Sequence, residues 1–428
     1  YNVEVVVENI SGIRDQFLVA APAGEGPDII VLAHDQLPAL TESGLIAELD
    51  LGAKAADFDE ESLKAFSYEG KLYGMPYARE NLGFFYNADV VDEVPDTWQG
   101  VYDLSRELID AVLGEAGKFS AQVLAPLNRE GDIKGSRWKD GEVTSAPGFR
   151  DAYAQYCESG WNALPFPVEW GGQGLPNIVS SPVSEMVMSA NLSFSLCPML
   201  TAGAVSALVL VGSDHLRKTY LPKMIDGSWT GTMNLTEPQA GSDLSLVRTR
   251  AVPEGDHYRV SGQKIFITWG EHDMTENIVH LVLARLPDAP EGVKGISLFV
   301  VPKFLVNPDG SLGARNDVRC ASLEHKLGIH ASPTAVLNFG EKDGAIGYLV
   351  GEANRGLEYM FIMMNEARYA VGVQGIAIGE RAYQQAAAYA HERLQGRDIS
   401  NPRGPTAPIA RQPDVRRMLL TMRAITEA

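Results

Sequence analysis

Short apolar runs alternate with amphipathic stretches in the first quarter of the chain. The runs VEVVVE and PDIIVLAHD, rich in β-branched residues, predict strands, and the periodicity near Gly12–Ala21 and Gln36–Glu42 predicts helices. An alternation of strands and helices is typical of a parallel sheet. We therefore predict an α/β unit over residues 1–105.

Helical periodicity begins at about Glu107. Leu108, Val112 and Phe119 fall on one side of the predicted helix, and further helical stretches follow between Pro147 and Leu210. A Pro- and Gly-rich segment, PFPVEWGGQGLP, interrupts them as a loop. These features predict a helical domain over residues 106–230.

The pattern changes twice more along the chain. HYRVSGQKIFIT, IVHLVLARL and KGISLFVVPK are apolar and β-branched between turn signals, so they predict a β domain over residues 231–345. From Gly356 the chain becomes Ala-rich and helical again, and a second helix, VRRMLLTMRAITEA, follows a Pro-rich loop. Residues 346–428 therefore form a predicted helical domain, and the whole chain is multidomain.

The net charge of −19 is spread unevenly, because residues 1–105 contain 5 Lys and Arg against 20 Asp and Glu. This change of composition near residue 100 indicates two differently composed pieces. An acidic chain without basic clusters argues against nucleic acid as a partner.

The compartment is inferred from three features. No export signal and no long uninterrupted apolar run is visible, so we predict no membrane span. The three cysteines and eight histidines show no metal-ligand spacing, so no metal site is predicted. Together these features favour a reducing, cytoplasmic location.

Five motifs occur in a characteristic order in the last three quarters of the chain. They are WGGQGLP, YLPKMIDGSWTGTMNLTEPQAGSDL, GQKIFIT, LEHKLGIHASPT and AYAHERLQGR. Over residues 106–428 this series resembles the acyl-CoA dehydrogenase family. The segment VPKFLVNPDGSLGARNDVRCASLEHK and the ISNPRGPTAP loop resemble the subgroup that includes 3-methylthiopropanoyl-CoA dehydrogenases.

The resemblance implies an FAD-dependent enzyme that oxidises an acyl-CoA thioester to the 2,3-enoyl-CoA. It implies a helical domain, a β-barrel-like middle domain and part of a C-terminal helix bundle. It further implies electron-transfer flavoprotein as the electron acceptor and assembly as a homo-oligomer.

The same resemblance assigns the cofactor residues. Leu235 and Thr236 would offer backbone and hydroxyl contacts to the flavin ring, Gly241 would permit close approach, and Ser242 would contact both flavin and acyl-CoA. The residues assigned to the other ring face are Phe266, Ile267 and Thr268. Phe266 also fits an ordinary place in the β-domain core, since strand aromatics are usually buried.

Three further residues are assigned by the resemblance, all in the C-terminal helical region. Arg393 would reach the flavin pyrophosphate of a neighbouring subunit, although a surface arginine is an equally ordinary interpretation. Asn365 and Arg368 would contact the CoA portion, and an intrahelical ion pair or a solvated face remains the alternative for Arg368.

The reaction also requires a base, which is a glutamate in this family. Relatives that carry it beside the helical arginine have it where this chain has Ala367. Glu366 is turned by about 100° around the helix, so we expect it to miss the substrate. The chain stops at Ala428, before the segment that carries this glutamate in most members. We therefore nominate no catalytic residue and expect a truncated or chimeric form.

Residues 1–98 resemble maltodextrin-type periplasmic solute-binding proteins. The resemblance rests on GEGPDIIVLAHDQLPALTESGLIAEL, YEGKLYGMPYARENLGFFYN and VPDTW. It implies that Asp35 and Glu80 bind sugar hydroxyls, although solvated loop carboxylates are the ordinary alternative. Two other functions therefore stay open: a sugar-binding module of an ABC importer and an inactive artificial fusion.

Overall fold

The computed structural model describes residues 13–24, 26–76 and 97–427, and the chain divides into two compact units, Tyr1–Asp96 and Thr97–Ala428. The described part of the first unit contains short helices and a small hairpin. Its elements are α1 (Ile13–Ala20), α2 (Leu37–Glu42), α3 (Glu60–Ala65), β1 (Ser67–Tyr68) and β2 (Lys71–Leu72). The helices α1 and α2 confirm two sequence predictions.

The prediction of a strand at PDIIVLAHD is wrong. Residues 27–33 form no helix or strand, and a 3-10 turn follows at His34–Gln36. Ile29 and Val31 are 82% and 55% exposed, and among the described residues this stretch pairs with no strand, so it has neither the partner nor the covered face that an apolar run needs to form a strand. The other predicted strand, VEVVVE, lies outside the described residues.

The second unit begins and ends with helices and has its sheet between them. Its helices are α4 (Trp98–Phe119), α5 (Ala125–Lys134), α6 (Phe149–Glu158), α7 (Asn177–Ala190), α8 (Leu192–Val211), α9 (Asp214–Ile225), α10 (Gly356–Glu392) and α11 (Pro413–Glu427). A π-helical turn at Ser120–Leu124 joins α4 to α5. Leu108 is 45% exposed although its spacing predicted a packed position.

The strands confirm the predicted β domain. They are β3 (Arg137–Lys139), β4 (Glu142–Thr144), β5 (Trp229–Asn234), β6 (Arg250–Glu254), β7 (His257–Thr268), β8 (Asn277–Arg285), β9 (Ile296–Pro302), β10 (Phe304–Val306), β11 (Leu312–Arg315), β12 (Val318–Leu323), β13 (Thr334–Phe339), β14 (Ala345–Val350), β15 (Leu394–Arg397) and β16 (Thr406–Pro408). The main sheet has the order β12-β13-β7-β14-β9-β8-β5, and β6 pairs with β7 and β8. Its β5–β8 ladder is parallel, whereas β7, β9, β13 and β14 pair in antiparallel fashion.

Both faces of the central strand β8 are covered. Val279, Leu281 and Leu283 face a core shared with α8 and α9, because alternate side chains of a strand point to the same side. Val282 and Ala284 face a second core inside the β domain. The sheet therefore lies between these two cores, and packing against α8 and α9 fixes the position of its edge strand β5.

Helix α8 is apolar enough to cross a membrane by length and composition, with a mean hydropathy of 2.0. Its most apolar window is 56% buried within the protein, against β5, α7, α9 and α10. Because the apolar surface of α8 is largely covered by protein, burial in the core explains its composition.

Candidate active site

Two segments of the β domain meet where β5 ends. The backbone N–H of Ile265, in β7, donates to the carbonyl oxygen of Thr236 at 2.9 Å. The Nζ of Lys264 donates to the carbonyl oxygen of Leu235, also at 2.9 Å. The structure therefore brings the predicted ring-contact pair, Leu235 and Thr236, beside the GQKIFIT segment.

The loop that carries the TEPQAGSD motif is organised by a buried carboxylate. Glu237 is 3% exposed and accepts from the Nζ of Lys264 at 2.8 Å. It also accepts from the backbone N–H groups of Arg248 and Thr249, at 2.7 and 3.1 Å, and from the Thr249 hydroxyl at 2.6 Å. Glu237 thus joins both ends of the loop to β7.

Burial and pairing act in opposite directions on these two groups. Burial alone would raise the pKa of Glu237, but Lys264 and the donors from Thr249 and Arg248 lower the pKa overall. Burial lowers the pKa of Lys264 to about 8, and Glu237 opposes that fall. Because both charges are buried, the contact between Lys264 and Glu237 and the hydrogen bonds to Glu237 from Thr249 and Arg248 together favour the ionised pair.

Gly241 and Ser242 lie at the exposed tip of this loop. A Cβ built on Gly241 would meet only the Cγ2 of Thr236, at 3.8 Å, which is an ordinary van der Waals distance. Gly241 also has no positive φ. Neither backbone conformation nor internal packing requires glycine here, so the space beside it is open to a ligand.

Phe266 stands on an irregularity of β7. Ala335 pairs with Ile267 and Leu337 pairs with Lys264, so two steps along β13 span three along β7. The resulting bulge places Phe266 at φ +61° with its side chain 57% exposed. A bulky aromatic residue in left-handed conformation is a rare and costly arrangement that clusters at functional sites. The exposure argues against an ordinary core position.

The two residues after Phe266 differ from each other. The side chain of Ile267 is 2% exposed and packs in the core inside the β domain, so only its backbone could contact a ligand. Thr268 is half-buried and pairs with Thr334 of β13. Of the predicted run, Phe266 and Thr268 have accessible side chains.

Strand β5 packs closely against α8, which fixes the position of the loop that follows β5. A Cβ on Gly231 would lie 2.5 Å from the Cβ of Ala204, and the Gly231 N–H donates to the Thr201 hydroxyl at 3.0 Å. On the same strand, Thr232 hydrogen-bonds the Nδ1 of His280 at 2.7 Å. These contacts make β5 a rigid base for the loop.

The predicted CoA contacts lie on α10. Arg368 donates to the Oδ1 of Asn365 at 3.1 Å, and its guanidinium lies 5.1 Å from the ring centroid of Phe361. Both Asn365 and Arg368 are exposed. Among the described residues Arg368 forms no ion pair, and its two intrahelical partners are uncharged, so further guanidinium donors stay accessible.

Arg393 lies just after α10, and its side chain is exposed. Its backbone carbonyl accepts from the Ile409 N–H at 2.8 Å. Within residues 97–427, no hydrogen bond or ion pair joins its side chain to the loop at residues 235–242. A flavin contact by Arg393 therefore stays a prediction that involves a second subunit.

A cavity of about 590 Å³ lies between α7, α8, α10 and the loop after α6. Its walls are mainly apolar, and they include Glu366 but neither Ala367 nor Arg368. Burial raises the pKa of Glu366, while a hydrogen bond with Ser206 opposes that rise. Glu366 thus points to a different side of α10 from Arg368.

The two predicted sugar contacts are not brought together by the described residues. Asp35 is exposed on the 3-10 turn His34–Gln36. Glu80 lies outside the described residues. The sugar-binding role of this pair stays a prediction.

Sequence reasoning missed the Glu237–Lys264 pair and the cavity. A lysine in the interior of an otherwise apolar strand, as in GQKIFIT, was the available signal, because such a group needs a buried partner. The cavity gives no comparable signal, since its residues come from segments far apart in sequence.

Residues 109–228 and 232–341 match the N-terminal and middle domains of acyl-CoA dehydrogenases. Residues 1–156 match the bacterial extracellular solute-binding protein family, so two family matches overlap at residues 109–156. The structure places residues 109–156 in the second unit. There Phe149 of α6 stacks on Trp269 of the β domain, with ring centroids 6.3 Å apart.

The 3-methylmercaptopropionyl-CoA dehydrogenase of Ruegeria pomeroyi is 58% identical over 318 residues, covering 74% of this chain and 54% of that protein. The chain spans about half the length of the curated relatives it matches.

Two solved structures share the fold. The FAD complex of an acyl-CoA dehydrogenase from Bacillus anthracis has a TM-score of 0.60 at 25% identity, covering 75% of this chain and 49% of that one. An electron-transferring flavoprotein structure from Acidaminococcus fermentans has a TM-score of 0.61 at 25% identity, covering 74% and 75%. Through residues 109–341, this chain belongs to the acyl-CoA dehydrogenase family.

Proposed function

We propose that the second unit binds FAD and an acyl-CoA thioester for α,β-dehydrogenation. The observation that carries the proposal is the junction of the TEPQAGSD loop with the β7 bulge. There an exposed, strained Phe266 stands beside the backbone of Leu235 and Thr236. A flat apolar face next to peptide groups suits a planar ring with a polar edge.

The residues present fit this cofactor. Gly241 leaves open space beside the loop, and the buried Oδ1 of Asn234 has no hydrogen-bond partner in the described structure. FAD, when bound, would accept the hydride from the substrate β-carbon. Peptide N–H groups near Leu235 and Thr236 would stabilise negative charge without titrating, and Phe266 and Thr268 would orient the ring.

Ser242, Asn365 and Arg368 are the proposed contacts for the thioester's CoA portion. Ser242 is exposed on the loop that carries Gly241, so it can serve both ligands. Arg368 offers a planar guanidinium for phosphate or carbonyl oxygen. Arg393 would complete the flavin site of a neighbouring subunit, which makes a homo-oligomer part of the proposal.

For the substrate we propose 3-methylthiopropanoyl-CoA, and for the electron acceptor an electron-transfer flavoprotein. The first rests on the 58% identity to the Ruegeria pomeroyi enzyme and on a cavity of about 590 Å³ that suits a short apolar acyl group. The second rests on the resemblance to the acyl-CoA dehydrogenase family, which implies that acceptor. A cytoplasmic location follows from the CoA substrate.

Removal of the α-proton needs a base, and we propose none from the assigned residues. Ala367 cannot accept a proton. Glu366 lines the cavity proposed for the acyl group but lies on a different side of α10 from Arg368, so we assign it no role as a base. We therefore propose that this chain binds FAD and the acyl-CoA thioester, and we assign no residue to proton removal.

The test is flavin binding by the purified chain followed by anaerobic addition of 3-methylthiopropanoyl-CoA. We expect visible flavin absorption in the protein fraction and a shift of that spectrum when the thioester binds. Bleaching would show hydride transfer and would identify a base in this chain. No flavin in folded protein would overturn the proposal.

A second candidate concerns residues 1–105, because residues 1–156 match the solute-binding family. An exposed Asp35 is free to accept from sugar hydroxyls. Calorimetric titration with maltotriose tests this candidate, with Asp35→Ala as the variant expected to weaken binding. Heat that is equal for the parent and the variant, or absent from both, would count against it.

A further inference from the structure

A groove of about 410 Å³ lies across three neighbouring strands of the β domain. At this point β7 lies between β6 and β13, because Arg250 pairs with Ser261 and Asn338 pairs with Gln263. The polar side chains that line the groove combine two bases, one acid and three neutral groups. They are Arg248, Arg250, Ser261, Gln263, Asn338 and Glu341.

The two arginines face outward because the residue between them is held inside the β domain. Thr249 is 1% exposed, and its hydroxyl donates to Glu237 at 2.6 Å. Alternate residues of an extended segment point to opposite sides, so Arg248 and Arg250 share the exposed side. A Cβ on Gly262 would lie 2.4 Å from the Oγ1 of Thr249, so glycine is required for this close approach of the two segments.

Neither arginine has a partner for its charge. Among the described residues, the guanidinium groups of Arg248 and Arg250 form no ion pair and no hydrogen bond. The acid in the groove, Glu341, accepts from the Nδ2 of Asn338 at 2.7 Å and lies 3.9 Å from the guanidinium of Arg319. The groove therefore offers two unpaired guanidinium groups in a chain whose net charge is −19. Guanidinium groups suit phosphate oxygens, which they can bind through two parallel hydrogen bonds.

The groove lies on the same face of β7 as the exposed ring of Phe266. Val260 and Lys264 are buried before the bulge and Ile267 is buried after it, so the bulge shifts the alternation by one residue. Ser261 and Phe266 are both exposed, on the side opposite these buried positions. Five residues of strand separate them, which corresponds to roughly 16 Å.

We propose that Arg248 and Arg250 bind the phosphate groups at the nucleotide end of the acyl-CoA. This inference rests on the proposed function, since it places the reacting thioester beside the flavin site at Phe266. In an extended acyl-CoA, the pantetheine arm separates the thioester from the first phosphate by a distance comparable to that between Phe266 and the groove. Ser242 precedes Arg248 on the same loop, so it lies between the two sites along the chain.

The experiment removes the phosphates from the ligand and the guanidinium groups from the protein. Calorimetry compares 3-methylthiopropanoyl-CoA, its 3′-dephospho form and the corresponding pantetheine thioester, which has no nucleotide. We expect Arg248→Gln combined with Arg250→Gln to weaken binding of the CoA thioester at least tenfold and to leave the pantetheine thioester unchanged. Higher salt should weaken binding of the CoA thioester more in the parent than in this double variant, because exposed charges are screened.

Arg137→Gln is the matched control. Arg137 is exposed on β3 in the same unit, and its replacement removes one positive charge without touching the groove. We expect it to leave the affinity for all three ligands unchanged. A loss equal to that of either groove variant would reduce the effect to net charge and would overturn the proposal.

FAD contains a diphosphate of the same chemistry, so each variant is also titrated with FAD. Weaker FAD binding with unchanged acyl-CoA binding would assign the groove to the flavin nucleotide and would overturn the proposal. Equal weakening of the CoA and pantetheine thioesters would indicate a structural effect and would also overturn it.

The outcomes separate the groove from the function on which it depends. If no thioester binds to the folded parent protein, the proposed function fails and the groove assignment fails with it. If the parent binds the CoA and pantetheine thioesters equally well, or if the groove variants match the parent, the acyl-CoA function stands and the role of Arg248 and Arg250 fails.

Discussion

Replacing Lys264 by Met removes one member of the buried pair that holds the TEPQAGSD loop. Glu237 would keep its four hydrogen bonds from Gln239, Arg248 and Thr249, but it would lose the only cation that pairs with it among the described residues. Removing one partner of a buried ion pair typically lowers the free energy of unfolding by about 3–5 kcal/mol. We expect about 3 kcal/mol, the lower end, because the remaining donors still solvate the carboxylate.

The assay is urea unfolding followed by tryptophan fluorescence, since Trp229 and Trp269 are each only 1% exposed in the folded protein. Lys134→Met is the control. Lys134 pairs with Glu130 at the surface, where such pairs contribute about 0–1 kcal/mol.

Combining Lys264→Met with Glu237→Gln completes a double-mutant cycle. The double variant should be more stable than the sum of the single losses predicts, because neither charge is left alone. A loss below about 1 kcal/mol in Lys264→Met, equal to that of the surface control, would refute the view that this pair organises the loop.

Other predictions concern single positions of the β domain. Phe266→Gly should raise the free energy of unfolding by about 1 kcal/mol by relieving the left-handed strain, and should weaken FAD affinity at least tenfold in a fluorescence titration. Gly241→Ala should leave the melting temperature unchanged and weaken FAD binding, whereas Gly231→Ala should lower stability by about 1–3 kcal/mol because its Cβ would meet Ala204. Burial, with a smaller effect from Lys303, lowers the pKa of His272 and His280 to about 3. Both stay neutral in the folded protein, whereas the unfolded chain binds protons below pH 6.5, so stability is lost as pH falls below that value. Between pH 7 and 5.5 we expect the free energy of unfolding in urea to fall by about 2.5 kcal/mol, and an unchanged urea midpoint would contradict the histidine assignment. FAD affinity that is unaffected by Phe266→Gly or by Gly241→Ala would contradict the flavin assignment.

Sequence patterns sufficed for elements whose side chains repeat with a clear period. The β-branched runs of β7, β8 and β9 and the Ala-rich α10 were predicted because burial of one or both faces requires that composition. The run at PDIIVLAHD has the same composition, yet it forms no strand, because strand formation also needs a paired neighbour.

The site was predictable only as a set of motif positions. The resemblance named Phe266, but its exposure and positive φ arise from a bulge that depends on the register between β7 and β13. Likewise, helical spacing separated Glu366 from Arg368 correctly, but the cavity that Glu366 faces is built by α7 and α8. Long-range register and packing of this kind leave no local pattern in a sequence.

The central claim is that the junction of residues 235–242 and 266–268 holds FAD. Its most direct test is the visible absorption spectrum of the chain after incubation with FAD and gel filtration, with Phe266→Ala prepared in parallel. The account predicts bound flavin in the parent protein, with much less flavin in a variant whose tryptophan fluorescence and melting temperature are unchanged. Equal flavin in both proteins, or none in the folded parent, would contradict it.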